Sequence, residues 1–288
     1  MAAVSGGADS SALLVLAVEA GCDVTATHVD HGLRAGSSSE ADVVAALAAS
    51  VGARFLARRA PVAPGPNLEA RARRARFSVL PPGAMTGHTA DDQAETVVLN
   101  LVRGAGLDGM AAMRPGPTKP LLALRRRETA ALCAALGIQA VVDPSNDDLA
   151  RRRNRVRHEV LPLLDRVAER DVAAVLARNA ALAGDDVRLL DDLAEALDPS
   201  DAHVLAAAPR PLARRAVRRW LVAGGGPPPP AAAVERVLEV AEGRWRATEI
   251  GGARRVARRD GRLRVEPMPS ASDSCSRWPP NRAAADRS

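Results

Sequence analysis

The sequence has no tyrosine, two phenylalanines, three tryptophans and a single lysine, Lys119. With aromatics at 2% and apolar residues at 47%, any core must be built from alanine, valine and leucine rather than from rings. Cysteine is scarce too: Cys22, Cys133 and Cys275 lie far apart with no C-x-x-C pair, which argues against an iron–sulfur cluster, a zinc ribbon or a disulfide framework and fits a reducing cytoplasm. No apolar run approaches the roughly 20 residues that span a bilayer, so no membrane partner is expected. The apolar stretch 12–18 follows Asp9 rather than a basic segment and is closed by Glu19, unlike a secretory leader. Because lysine is nearly absent, the excess of Lys+Arg 40 over Asp+Glu 34, a net +6, is almost all guanidinium. Spread evenly, that excess is bland; clustered, it makes a footprint for a polyanion.

What is present is enough chain, 288 residues, for more than one core. Short apolar runs at 2–4, 24–29, 54–57, 84–87 and 138–142 read as strands. They alternate with helical spacing at 11–20, 39–51, 68–80, 91–102 and 126–136, the βαβ text of an α/β parallel sheet. Pro144-Ser145-Asn146 marks a turn, after which the text is mostly helical. A glycine and proline run at 224–230 reads as a stiff linker before a helix at 232–242. Strands at 247–250, 254–258 and 263–265 follow, the last two joined at Asp260-Gly261, a hairpin signal. The expected divisions are 1–145, 146–222, a small helix-plus-hairpin module at 223–266, and a disordered tail at 267–288.

The sharpest local feature is Ser5-Gly6-Gly7-Ala8-Asp9-Ser10-Ser11, between the first strand and its helix. Two glycines let backbone N–H groups close on an anion, Ser10 and Ser11 offer hydroxyls, and the helix aims its positive end at the same point. No G-K-[ST] closes the loop as in a Walker A motif, and it is not the G-x-G-x-x-G dinucleotide turn. A serine-capped small-residue turn is the plain alternative for a bare S-G-G. Asp91, Asp92 and Glu95 open a later helix; i,i+3 and i,i+4 spacing gathers them, either to answer the helix dipole or to hold a cation. His31 and His88 stand just past strand ends, as packing residues or for proton transfer and base contact. Arg71, Arg73, Arg74 and Arg76 form a basic helix face, and Arg151, Arg152, Arg153, Arg155 and Arg157 a run dense enough to meet an RNA backbone.

The string at 5–11 resembles the pyrophosphate-binding loop of the N-type ATP pyrophosphatases, the PP-loop family, which split ATP to AMP and pyrophosphate to adenylate a carbonyl-type oxygen. Six further motifs follow in order: His28-Val29-Asp30-His31-Gly32-Leu33-Arg34, Asn67-Leu68-Glu69-Ala70-Arg71-Ala72-Arg73, Gly87-His88-Thr89-Ala90-Asp91-Asp92-Gln93-Ala94-Glu95-Thr96, Arg103-Gly104-Ala105-Gly106 with Pro120-Leu121-Leu122, Asp143-Pro144-Ser145-Asn146, and Arg153-Asn154-Arg155-Val156-Arg157-His158. Together they resemble the tRNA(Ile)-lysidine synthetase family, densely over residues 2 to about 165 and loosely beyond. One departure is Arg151, where the family commonly carries an aromatic.

The resemblance implies a parallel-sheet PP-loop (adenine nucleotide alpha hydrolase-like) domain followed by a mostly helical domain and a terminal hairpin. It implies ATP-dependent ligation of L-lysine to the wobble cytidine of the CAU anticodon of tRNA(Ile), through adenylated tRNA, switching codon reading from AUG to AUA. On that reading Ser5, Gly6, Gly7, Ala8, Asp9, Ser10, Ser11 and His31 bind ATP, with Mg2+ beside Asp9. Asp92, Glu95 and Arg71 hold lysine; Asp9, Asp91, Asp92, Glu95 and His88 serve the chemistry; Arg151, Arg153, Arg155 and Arg157 meet tRNA. A homodimer is compatible with it. The rivals are another PP-loop tRNA-modifying or adenylating enzyme, and a non-catalytic arginine-rich RNA-binding protein.

Overall fold

The computed structural model describes residues 1–32, 37–63, 65, 68–141, 143–225 and 227–268. Leu33, Arg34, Asn67, Val142 and the expected tail from 269 onward lie outside the described residues, as do the side chains of Leu68, Glu69 and Ala70.

The contacts divide the chain into two compact units, 1–187 and 188–288. The first holds β1 (Ala2–Ala3), α1 (Ala8–Glu19), β2 (Thr25–Asp30), α2 (Ser37–Ser50), β3 (Arg54–Arg59), α3 (Leu68–Val79), β4 (Met85–Thr86), α4 (Ala90–Val102), α5 (Leu107–Ala111) and α6 (Arg126–Ala135). It continues with α7 (Arg152–Arg155), a π-helical turn at Val156–Val160, α8 (Leu161–Ala168) and the start of α9 (Val172–Glu195). The four strands are parallel, in the order β3-β2-β1-β4. The expected elements thus form, with one correction: 138–141 make no strand, and Val141 N instead donates to Gly6 O at 2.9 Å.

Small residues do the work that rings do elsewhere. Ala2, Ala26 and Ala48 are fully buried and let α1 and α2 sit close on the sheet, where Leu13, Leu14, Val4, Val24 and Val44 complete the core. α1 is buried from Ser10 to Val15, as expected of a helix apolar on nearly every side.

The unit boundary falls inside α9, whereas the sequence pattern put divisions after 145 and 222. Two clusters explain the difference. Val156, Leu161 and Ala173 pack with Ala94 and Val98 of α4, which binds the helices after 151 to the sheet domain. In the second unit, α10 (Ala202–Ala207), α11 (Arg210–Ala223), α12 (Ala231–Ala241), β5 (Ala247–Gly251), β6 (Arg254–Arg259) and β7 (Arg262–Pro267) share one core, so the run at 224–230 connects parts of a single body. β5, β6 and β7 are antiparallel, and the turn at Asp260-Gly261 has φ values of 50° and 74°, the left-handed pair a tight hairpin requires. Pro267 ends β7 rather than starting the tail.

Candidate active site

The strand order places β1 where connections leave in opposite directions, the position at which open parallel sheets take ligands beyond their carboxyl ends. Gly6 turns the chain there at φ +89°, and a Cβ on it would stand 2.9 Å from Val141 Cγ2. Ser10 Oγ donates to Gly7 O at 2.9 Å and accepts from Ser5 N at 3.1 Å, and Ser11 Oγ donates to Gly6 O at 3.3 Å. These hydroxyls fix the loop's shape. No side chain caps α1 at Gly7, so the first-turn N–H groups that helix geometry leaves over face the loop's concavity. β4 comes in from the other side: a Cβ on Gly87 would meet Asp9 O at 2.7 Å and Ser10 N at 3.0 Å. Only glycine permits that approach.

Asp9 accepts a short hydrogen bond from Thr129 Oγ1 and lies 3.4 Å from Arg126 Nε. Burial pushes its carboxyl above the ordinary range, against the pull of Thr129 and Arg126. Arg126 then reaches on: Nη2 donates to Asp92 Oδ1 at 3.0 Å and to Glu95 Oε1 at 3.3 Å. Arg153 Nε donates to Glu95 Oε2 at 2.6 Å and its Nη2 to Asp92 Oδ1 at 3.1 Å, while Arg157 Nε donates to Glu95 Oε1 at 2.7 Å. Asp91 turns away to Arg125, at 2.8 and 3.0 Å, and to the backbone N of Arg126 at 2.7 Å; Arg125 also grips Asp171. Five carboxylates thus meet four guanidinia. Burial alone would raise Asp91 and Asp92, but the hydrogen bonds of Arg125 and the charges of Arg126 and Arg153 hold both below the ordinary carboxylate range. Burial likewise opposes the charge on Arg126, and the surrounding carboxylates overcome it.

Asp92 answers the start of its own helix and the arginines at once. Asp92 Oδ2 accepts from Thr89 N at 2.9 Å and Thr89 Oγ1 at 3.1 Å, capping α4, while its Oδ1 faces the arginines. Of the basic run, Arg153 and Arg157 point into this cluster, whereas Arg155 pairs with Glu159 at 3.1 Å and Arg151 with Asp148 at 3.5 Å on the surface. Asn154, buried between them, donates to Ser145 O at 2.9 Å and Asp148 O at 3.0 Å, tying the run to the Pro144–Asn146 turn. Arg71 bonds the carbonyl of Ala63, and no contact with Asp92 or Glu95 is among its described ones. His31 Nδ1 lies 3.0 Å from Ala60 O. His88 Nδ1 lies 2.8 Å from Thr86 Oγ1, which itself donates to Thr118 O at 3.1 Å. Burial lowers His88 to about 4, so its ring is neutral at pH 7.

Residues 1–164 match the PP-loop domain family, and residues 201–264 match the TilS substrate binding domain family. The chain is 41% identical over 285 residues to tRNA(Ile)-lysidine synthase of Rhodococcus erythropolis, covering 91% of this chain and 87% of that one. It belongs to the tRNA(Ile)-lysidine synthase family. Another lysidine synthase, from Nocardia farcinica, is 44% identical over 236 residues, 76% of this chain and 74% of that one. Membership makes the chain an enzyme, a ligase, built on an ATP-binding PP-loop domain. A solved structure, the U34-tRNA thiolase NcsA from Methanococcus maripaludis with its [4Fe-4S] cluster, aligns with a TM-score of 0.50 at 16% identity over 64% of this chain and 70% of that chain. That likeness is one of fold alone.

Arg125, Arg126, Thr129 and Asp171 escaped the sequence reading of the lysidine synthase motifs. A signal was there. Arg125, Arg126 and Arg127 open helix α6, where cations oppose the helix dipole, and such a broken local rule marks a tertiary partner.

Proposed function

We propose that this chain ligates L-lysine to the wobble cytidine of the CAU anticodon of tRNA(Ile), through an adenylated tRNA. The observation that carries the reading is Arg126, which joins the phosphate cradle at Asp9 to the acidic pair Asp92 and Glu95. ATP lies with its phosphates on residues 5–11 and the first turn of α1. The cytidine carbonyl oxygen attacks the α-phosphorus and pyrophosphate leaves. The side-chain amine of lysine then attacks the activated ring carbon and AMP departs.

Arg126 is the cation within reach of the incoming phosphates. Drawn toward them, it gives up its contact with Asp92 Oδ1 to the lysine ammonium, while Arg153 keeps its own. Glu95 is fully buried and its two oxygens are taken by Arg153 and Arg157, so it holds the arginines in place behind Asp92. An amine attacks only once deprotonated, at a cost set by a pKa near 10.4. The carboxylates therefore position the ammonium for the loss of its proton. Among the described residues no three metal-ligating side chains cluster. Asp9 would be the carboxylate to hold a Mg2+ brought in with the phosphates, which would supply charge compensation there.

We assign the chemistry to the first unit and tRNA holding to the second, with Arg151 and Arg155 of the first unit as added phosphate contacts, and place the enzyme in the cytoplasm, where its substrates are. No helix among the described residues is long and apolar enough to cross a membrane. The deciding experiment is ATP–pyrophosphate exchange with and without tRNA, followed by incorporation of labelled lysine. Exchange that needs tRNA, with lysine then fixed to it, supports the reading. RNA binding without exchange would make the chain an RNA-binding protein.

A further inference from the structure

Trp245 is 62% exposed in a chain with only three tryptophans and two phenylalanines. Trp220 packs on the core of the second unit and Phe55 on that of the first, while Phe77 lies under the guanidinium of Arg73, 5.1 Å from the ring centroid. An indole left in water contributes little to the fold that carries it.

Its loop, between α12 and β5, is tied at both ends. Gly243 turns it at φ +84°, Arg244 N donates to Glu239 O at 2.9 Å, Arg258 N to Arg246 O at 2.8 Å, and Arg258 Nη1 to Ala241 O at 3.0 Å. The ring is thus presented from fixed backbone. In the ladder Ala247 faces Ala257, and Ala257 faces Arg264, so the two-residue alternation carries Trp245 onto the face that bears Arg264. Most arginines nearby are paired: Arg255 and Arg259 with Glu266, Arg262 with Asp198, Arg244 with Glu242. Arg246 and Arg264 have no ion-pair partner among the described residues.

We propose that Trp245 is a stacking platform for one unpaired nucleobase of the substrate tRNA, with Arg246 and Arg264 meeting phosphates on either side. This rests on the reading of tRNA as the substrate. A base of any identity offers a π-face to the indole, and guanidinia without carboxylates beside it favour a phosphate chain. A stable protein partner would need on the order of 800 Å² of complementary surface per side. Here one apolar ring stands among cations.

The test measures tRNA binding by the full chain directly, beside the melting temperature. Trp245→Ala should weaken binding about 5- to 100-fold without moving the melting temperature, and Trp245→Phe, which keeps a ring, should retain most of the affinity. Tryptophan fluorescence should fall on adding tRNA, stay level with a fully paired RNA duplex, and lose its tRNA response in Trp245→Phe. Binding of tRNA by Trp245→Ala at the wild-type level overturns the proposal. So does a change confined to self-association in sedimentation, which would make the ring a protein contact. Loss of lysidine formation with this fluorescence response intact would count against the proposed activity and leave the platform standing; lysidine formation with no response would do the reverse.

Discussion

Arg153 donates from Nε to the carboxylate of Glu95 at 2.6 Å, and Glu95 has no solvent-exposed surface. A residue from the basic run after the sheet domain thereby neutralises a buried acid of α4, with Arg157 and Arg126 completing the shell. Removing the acid leaves up to three guanidinia without their buried partner. Glu95→Ala should therefore destabilise the first unit by about 3–5 kcal/mol, the range for breaking a buried pair from one side. Glu95→Gln keeps an acceptor oxygen and should lose less. Denaturant unfolding of the three proteins checks this, and an unfolding midpoint for Glu95→Ala equal to wild type would refute it.

The same geometry divides the basic run by function. Arg155 is 61% exposed at its side chain and Arg151 38%, whereas Arg153 and Arg157 are spent on Glu95 and Asp92. Neutralising Arg151 and Arg155 together should lower the slope of log affinity for tRNA against log salt by up to about 0.9 per lost phosphate contact. Arg153→Ala should cost stability and leave that slope near its wild-type value. Titrations at several salt concentrations settle it; a slope that falls with Arg153 and not with Arg151 and Arg155 would reverse the assignment.

Gly87 sets the distance between β4 and the first turn of α1. A methyl group there meets backbone, Asp9 O at 2.7 Å and Asp9 C at 2.9 Å, which cannot swing aside as a flexible side chain could. Gly87→Ala should cost about 1–3 kcal/mol in stability, as overpacking commonly does. It should also weaken ATP binding, because the displaced turn is the one that faces the phosphates. Calorimetric titration with ATP is the check, and unchanged affinity would mean that the cradle lies elsewhere.

The sheet domain was legible because its signals are local. Glycine-bearing junctions, β-period runs and the spacing of Asp91, Asp92 and Glu95 each report on a few neighbouring residues. The pairing of Arg153 with Glu95 joins residues 58 apart and has no local signature; read locally, a charge run is a solvated face. The expected divisions differ from the compact units for a similar reason. Pro144-Ser145-Asn146 and the proline run at 227–230 are genuine turn and linker text, yet Val156 against Ala94 and Leu221 against Leu238 pack across them. The apolar run at 138–141 makes no strand, and Val141 N serves Gly6 O instead of a ladder.

His88 supplies a pH-dependent term. Its Nδ1–H donates to Thr86 Oγ1, since that hydroxyl gives its own proton to Thr118 O, and Nε2 is left as the acceptor. Burial lowers the ring to about 4, reinforced by Arg73, Arg153 and Lys119 and opposed by Asp92. In the unfolded chain the ring titrates near 6.5. The unfolded state therefore takes up the proton first as pH falls, so this contribution is intact above 6.5 and is lost progressively toward 4, by up to about 3 kcal/mol. His88→Gln should flatten that limb of the stability curve, and the ring should titrate near 4 by NMR. Titration near 6.5 would show the ring to be solvated.

The last expectation separates the two half-reactions. Asp9 stands at the cradle, held by Thr129 and Arg126, where charge develops as pyrophosphate leaves. Asp9→Ala should lower tRNA-dependent pyrophosphate exchange by about 100-fold or more, the scale seen when one preorganised transition-state contact is lost. Asp92 Oδ1 is shared by Arg126 and Arg153, and its side chain keeps 13% exposure, whereas that of Glu95 has none. Asp92→Asn keeps the cap to Thr89 in shape and removes the charge, so its main effect should be a raised requirement for lysine. With tRNA and ATP but no lysine, the Asp92 variant should still accumulate adenylated tRNA and the Asp9 variant should not. If both stop before adenylation, Asp92 serves the nucleotide through Arg126, and the amine of lysine must be held by other groups.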